Sequence, residues 1–99
     1  MERLRPHETP IRLPLGQVLA TPGALEALQE AEMQPAVLLT RHQRGDWGEL
    51  DADDKRLNDE AVDGESRILS AYTLPTGVKV WIITEWDRSA TTFLLPSEY

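Results

Sequence analysis

Val78-Lys79-Val80-Trp81-Ile82-Ile83-Thr84-Glu85-Trp86 is the stretch that decides the fold. It is dense in β-branched and aromatic residues, the types that suit a pleated, half-buried surface. On its near side Pro75-Thr76-Gly77 makes a turn, and Ser66–Leu74 reads as a strand. On its far side Asp87-Arg88-Ser89 turns again, and Thr91–Leu95 is a third strand that Pro96 ends. Three strands joined by short turns form an antiparallel meander. Upstream the period lengthens to that of a helix. Thr21 is a helix N-cap with Pro22 at the first helical position, and Leu25 and Leu28 share a face of a helix reaching about Glu32. Pro35 opens a second helix that buries Val37, Leu38 and Leu39. It closes on Arg41-His42-Gln43-Arg44-Gly45, basic residues followed by glycine. Asp51 caps a third helix over Ala52–Val62, whose thin apolar face is Leu57, Ala61 and Val62. Helices first and sheet second is an α+β arrangement: two to three N-terminal helices packed on a three-stranded antiparallel meander.

Residues 1–10 carry two prolines and read as a flexible arm, and residues 11–99 as a single domain. Ile11-Arg12-Leu13 alternates and predicts a short edge strand ahead of Pro14. The predicted core comprises Val80, Ile82, Phe93, Ile68, Leu28 and Leu57.

Period-two alternation gives the long strand two faces. Val78, Val80, Ile82, Thr84 and Trp86 share one, which the helices cover; Lys79, Trp81, Ile83 and Glu85 share the other. Trp81 and Ile83, joined by Leu69 and Leu94, are either covered by the N-terminal segment or by a wrap of the sheet, or form a partner or homodimer contact.

The chain has no cysteine, which removes disulfides and thiolate metal sites and fits a reducing, cytoplasmic setting. Its apolar runs reach about four residues, against about 18 for a membrane span. The net charge of −7 is not spread evenly. Residues 46–65 hold nine acids against Lys55 and Arg56, and the rest of the chain is neutral. An acidic chain lacks the basic footprint that nucleic acid requires, so a protein partner with a basic surface fits better. Asp53, Asp59, Glu60 and Asp63 are the candidate contacts on the third helix, which otherwise serves as a solubilising face.

Catalytic patterns are missing. Asp51-x-Asp53-x-Lys55 starts like a calcium loop, but Lys55 stands where an oxygen ligand is needed. The two histidines, His7 and His42, have no metal-ligand spacing, and no phosphate-binding glycine pattern or nucleophile elbow occurs. No cofactor is implied. His42 and Asp46, four apart at a helix end, read as a surface pair or cap, Trp47 as a plug at the core edge, and Arg88 as a turn residue. The enzymatic alternative is a polar pocket holding Tyr72, Glu85, Asp87 or Arg88.

Gly45-Asp46-Trp47-Gly48-Glu49-Leu50, Asn58-Asp59, Arg67–Tyr72, Trp81–Ser89 and Leu94–Tyr99 together resemble a family of small bacterial proteins of about this length. The family occurs on plasmids and other mobile elements, and some members are described as like the modification subunit of type I restriction systems. The resemblance runs from about Leu15 to the end and implies no catalytic residues. A methyltransferase needs a cofactor-binding sheet and a motif such as N-P-P-Y, and neither is present here. The resemblance implies a non-enzymatic interaction protein, an acidic accessory or inhibitor of a DNA-targeting system. A structural homodimer is the remaining class.

Overall fold

Thr21 ends a strand and starts a helix. In the computed structural model, which describes residues 13–99, its N–H donates to Phe93 O at 3.0 Å and its hydroxyl accepts from Ala24 N at 3.1 Å. The strand is β1 (Gln17–Ala20) and the helix α1 (Pro22–Glu30). Then follow α2 (Pro35–Gln43), α3 (Ala52–Ala61), β2 (Ile68–Thr73), β3 (Lys79–Thr84), β4 (Ala90–Leu94) and a short 3₁₀ helix, Pro96–Glu98. Asp51 caps α3 as expected, accepting from Asp54 N at 2.8 Å. Such caps contribute about 1 kcal/mol each.

The α+β class and the β2–β3–β4 meander hold, but the sheet has four strands and is mixed, in the order β1-β4-β3-β2. β1 lies parallel to β4, with Gln17 beside Ala90 and Ala20 beside Phe93. The expected strand at Ile11–Leu13 falls largely outside the described residues. Ile11 and Arg12, like the arm at 1–10, lie outside the described residues, and Leu13 is a fully buried residue of irregular backbone. Gly16 opens β1 with φ +63°, and a Cβ there would collide with the Ser89 carbonyl. Only glycine allows β1 to approach the β3–β4 turn so closely.

The main core lies between α1, α2 and one sheet face: Ala24, Leu28 and Leu38 meet Tyr72, Val80, Ile82 and Phe93. A second cluster of Leu13, Trp47, Ala61 and Ile68 sits under α3, so Trp47 does plug a core edge. Several expected burials fail. Leu57 is 55 % exposed, and Val37 and Leu25 are exposed as well. Val78 and Trp86, at either end of the strand face that the helices cover, are also exposed, because they lie just beyond β3. In α3 Ala61 is buried as expected; the other buried position belongs not to Leu57 but to Asn58. Its side chain donates to Leu69 O at 2.6 Å and accepts from Leu69 N at 3.4 Å. A helix beside a sheet edge faces unpaired peptide groups, and an amide satisfies them where leucine cannot.

Candidate functional site

Cross-strand register fixes which residues share the sheet face turned away from α1 and α2. Leu69, Ile83, Thr92 and Leu19 lie in one row across the four strands; Ala71, Trp81 and Leu94 lie in the next. None of these belongs to either core cluster. Among the described residues the cover is slight, consisting of the 3₁₀ helix and Tyr99. The Tyr99 ring meets Trp81 edge-on at 5.7 Å, and the Arg67 guanidinium stands 5.0 Å from the centre of the Tyr99 ring. Ile83 and Leu94 are buried beneath, whereas Trp81 is half-buried and Tyr99 exposed.

Two depressions adjoin Arg67. One, of about 220 Å³, is lined by Arg67, Ile83, Leu94, Tyr99, Glu85 and Glu98, among others. The second, of about 360 Å³, lies between α3 and the start of β2 and includes Leu57, Glu60, Ala61 and Arg67. Arg67 lines both, with acids beside it in each: Glu60 in the second, Glu85 and Glu98 in the first. Glu98 is held in place by Thr21, whose hydroxyl donates to it at 2.6 Å, and by Leu95 N at 2.8 Å. The Thr21 bond, first, holds its carboxyl below the usual range.

The four acids singled out on α3 do not form one patch. With Asn58 facing inward, 100° per residue places Asp53 and Glu60 on the Leu57 flank and Asp59 on the opposite one. Asp53 is exposed and lies 3.7 Å from Arg56. Asp59 accepts the Trp47 indole N–H at 2.9 Å, so its carboxylate fastens α3 to the second core. Asp63 is exposed beyond the helix end. Glu60 alone of the four lines a depression that Arg67 also lines.

His42 is not a surface residue. It is fully buried, and Arg41 makes the expected pair with Asp46 instead, at 2.7 Å. The Asp46 hydrogen bond raises the Arg41 pKa, and Arg41 in turn lowers that of Asp46. His42 Nδ1 lies 2.5 Å from Ser70 Oγ and Nε2 lies 2.9 Å from Thr84 Oγ1; Thr84 reaches Thr91 Oγ1 at 2.8 Å. Thr91 donates to Leu15 O at 2.7 Å. Donor counting orders the chain. Thr91 has given its only hydrogen to Leu15, so Thr84 donates to Thr91. Thr84 must then accept, and His42 carries its proton on Nε2. Ser70 donates to Nδ1. Burial depresses the His42 pKa from 6.5 to about 4, which keeps the ring neutral in this role. Ser70 and His42 stand like a nucleophile and its base, yet both are fully buried, so no substrate reaches them. The network ties α2 to β2, β3, β4 and the segment before β1.

Sequence reasoning missed Ser70, Thr84 and Thr91. The available signal was three hydroxyls on inward-facing strand positions, with His42 four residues after the buried Leu38. The residues of the enzymatic alternative do not converge. Tyr72 donates to Asp46 O at 2.6 Å, and burial pushes its phenol up to about 12. Asp87 caps its own turn through Ser89 N at 3.0 Å, and Arg88 is spent on backbone carbonyls. Among the described residues no group of three or more His, Cys, Asp or Glu is placed to hold a metal, and no helix is long and apolar enough to cross a membrane. Comparison with known proteins finds no match among family models, curated proteins or solved structures.

Proposed function

We propose that the chain is a non-enzymatic protein-interaction module that receives a basic, amphipathic partner segment on the surface joined at Arg67. One observation carries this: Arg67 stands between two depressions, one holding exposed Leu57 and Glu60 and the other Ile83, exposed Tyr99, Glu85 and Glu98, with half-buried Trp81 packed edge-on against Tyr99. Large apolar side chains left open within a polar rim are the usual anatomy of a protein contact. An acidic rim on a chain of net charge −7 selects a cationic partner and speeds its approach. In this reading the partner belongs to a DNA-targeting system, whose basic surface the chain would occupy as an accessory or inhibitor. The test is titration of the ¹⁵N-labelled protein with a peptide alternating leucine and lysine, with a leucine–glutamate peptide as control. Amide shifts at Leu57, Arg67, Trp81 and Ile83 are expected with the basic peptide only. Glu60→Gln with Glu85→Gln should weaken binding and flatten its salt dependence. Shifts scattered over the molecule, or an unchanged salt slope in the double variant, would refute the proposal.

A further inference from the structure

After Leu94 the chain leaves the sheet. Leu95 still packs on the main core, but the backbone bonds beyond it are local. Glu98 N donates to Leu95 O at 2.8 Å and Tyr99 N to Pro96 O at 3.3 Å. Among the described residues, the hydrogen bonds that fasten Pro96–Glu98 to the start of α1 run through one side chain. The Glu98 carboxylate accepts from the Thr21 hydroxyl at 2.6 Å and from Leu95 N at 2.8 Å. Its other oxygen lies against Gly23, where a Cβ would come within 2.6 Å of it, so glycine in the first turn of α1 makes room for the carboxylate. This fastening lies in the open, where water competes for every group and such a bond holds weakly. Beneath the segment are Ile83 and Leu94, both buried, and the Tyr99 ring that stands edge-on to Trp81 is itself 64 % exposed. An apolar floor is thus covered by a short segment held by one carboxylate and one ring.

We propose that Pro96–Tyr99 is a hinged cover over the floor of Trp81, Ile83 and Leu94, latched by Glu98 on α1 and displaced by the basic partner segment. The gate presupposes the partner-binding surface proposed above and gives that surface a closed and an open state. Leu95, anchored in the core, is the hinge. Glu98 serves both states. Closed, it accepts from neutral donors, Thr21 and Leu95. Open, it is free for a lysine or arginine of the partner, and a charge-assisted bond is the stronger one. An apolar side chain of the partner then takes the place of the Tyr99 ring over Trp81. The Arg67 guanidinium, 5.0 Å from the centre of that ring, favours the closed state. A ligand shifts such an equilibrium only by what it gains in one state, and here the floor and the Glu98 carboxylate are gained in the open state alone.

Gly23→Ala tests the cover without altering a residue of either depression. The added methyl displaces the Glu98 carboxylate and keeps its charge, and alanine is the better helix former, so α1 is not weakened. NMR reads the cover with no ligand present. In the variant the Tyr99 ring protons should move toward the shifts of a free tyrosine, and the Glu98 and Tyr99 amides should exchange faster. The leucine–lysine peptide should bind the variant about three- to tenfold more tightly, because a cover that is mostly closed lowers apparent affinity by the open fraction. The same peptide should free the Tyr99 ring in the unaltered protein. Glu98→Ala should also free the ring, with a smaller gain in affinity because an acid is lost from the site. A ring that stays on Trp81 in both variants would overturn the gate. So would a peptide that binds while the ring stays in place, or a freed ring in Gly23→Ala with no gain in affinity. Peptide binding to neither the unaltered nor the opened protein would instead refute the interaction surface itself, an outcome the ligand-free ring shifts keep distinct from failure of the latch.

Discussion

Replacing His42 by glutamine tests the buried hydrogen-bond chain through its pH dependence. Burial takes the imidazole from 6.5 to about 4. A base whose pKa falls on folding binds its proton more readily in the unfolded chain. Its contribution is therefore fully present above pH 6.5 and is lost as pH falls toward 4, with no further loss below. Two and a half units at 1.36 kcal/mol each give about 3 kcal/mol, a large share of the roughly 5–15 kcal/mol that holds a domain together. Asp46, Asp87 and Glu98 also have depressed pKa values and add their own losses in acid. The variant separates the effects, since those carboxylates and His7 are common to both proteins. Urea unfolding at about pH 7.5 and about pH 4 supplies the free energies. The unaltered protein should lose about 3 kcal/mol more than His42→Gln over that interval, although the variant starts lower. Equal losses in the two proteins, or a His42 ring that titrates near 6.5 by NMR, would refute the neutral, buried imidazole and the tautomer assigned to it.

Three further substitutions probe the frame around the site. Arg88→Ala should destabilise by about 2–3 kcal/mol in chemical denaturation, because Arg88 donates to Ala61 O at 2.5 Å and Ser66 O at 2.7 Å and so ties the end of α3 to the β3–β4 turn. Asn58→Leu should cost about 1–3 kcal/mol, since it strands the Leu69 peptide group at the sheet edge; a gain in stability would mean that α3 sits differently. Glu32→Gly should raise the melting temperature slightly. Glu32 holds φ 52° just past α1 while Met33 N donates back to Leu28 O at 3.0 Å, and glycine adopts that conformation without the strain of about 1 kcal/mol.

Features governed by neighbours in the chain were legible in the sequence. Thr21-Pro22 and Asp51 start helices, and the meander follows from turns and alternation. The errors share a cause, which is that they depend on what lies across space. Four residues of β1 carry little pattern, and their partner is β4, parallel and remote in sequence. Leu57 was expected inside on hydrophobicity, but α3 rests against peptide groups and buries Asn58 instead. His42 was placed with Asp46 by helical spacing, while its partners Ser70 and Thr84 lie on two strands that no local spacing connects to α2. Of the candidate site, the Trp81–Ile83 face was legible from alternation. Its link to α3 through Arg67 was not, since that depends on which flank of α3 faces the sheet.

The parallel pairing of β1 with β4 bears on the order in which the molecule assembles. Gln17 and Ala90 are neighbours in the sheet and 73 positions apart in the chain, whereas β2, β3 and β4 find each other across tight turns. Closing the long loop costs entropy that only a preformed meander returns, so β1 docks late. Substitutions in β1 should then hasten unfolding and leave the folding rate nearly unchanged, whereas substitutions at Ile82 should slow folding. The strand that arrives last is also the first to leave. A molecule in which β1 has detached exposes the flank of β4, which β1 of another molecule can occupy, so concentrated refolding invites strand exchange.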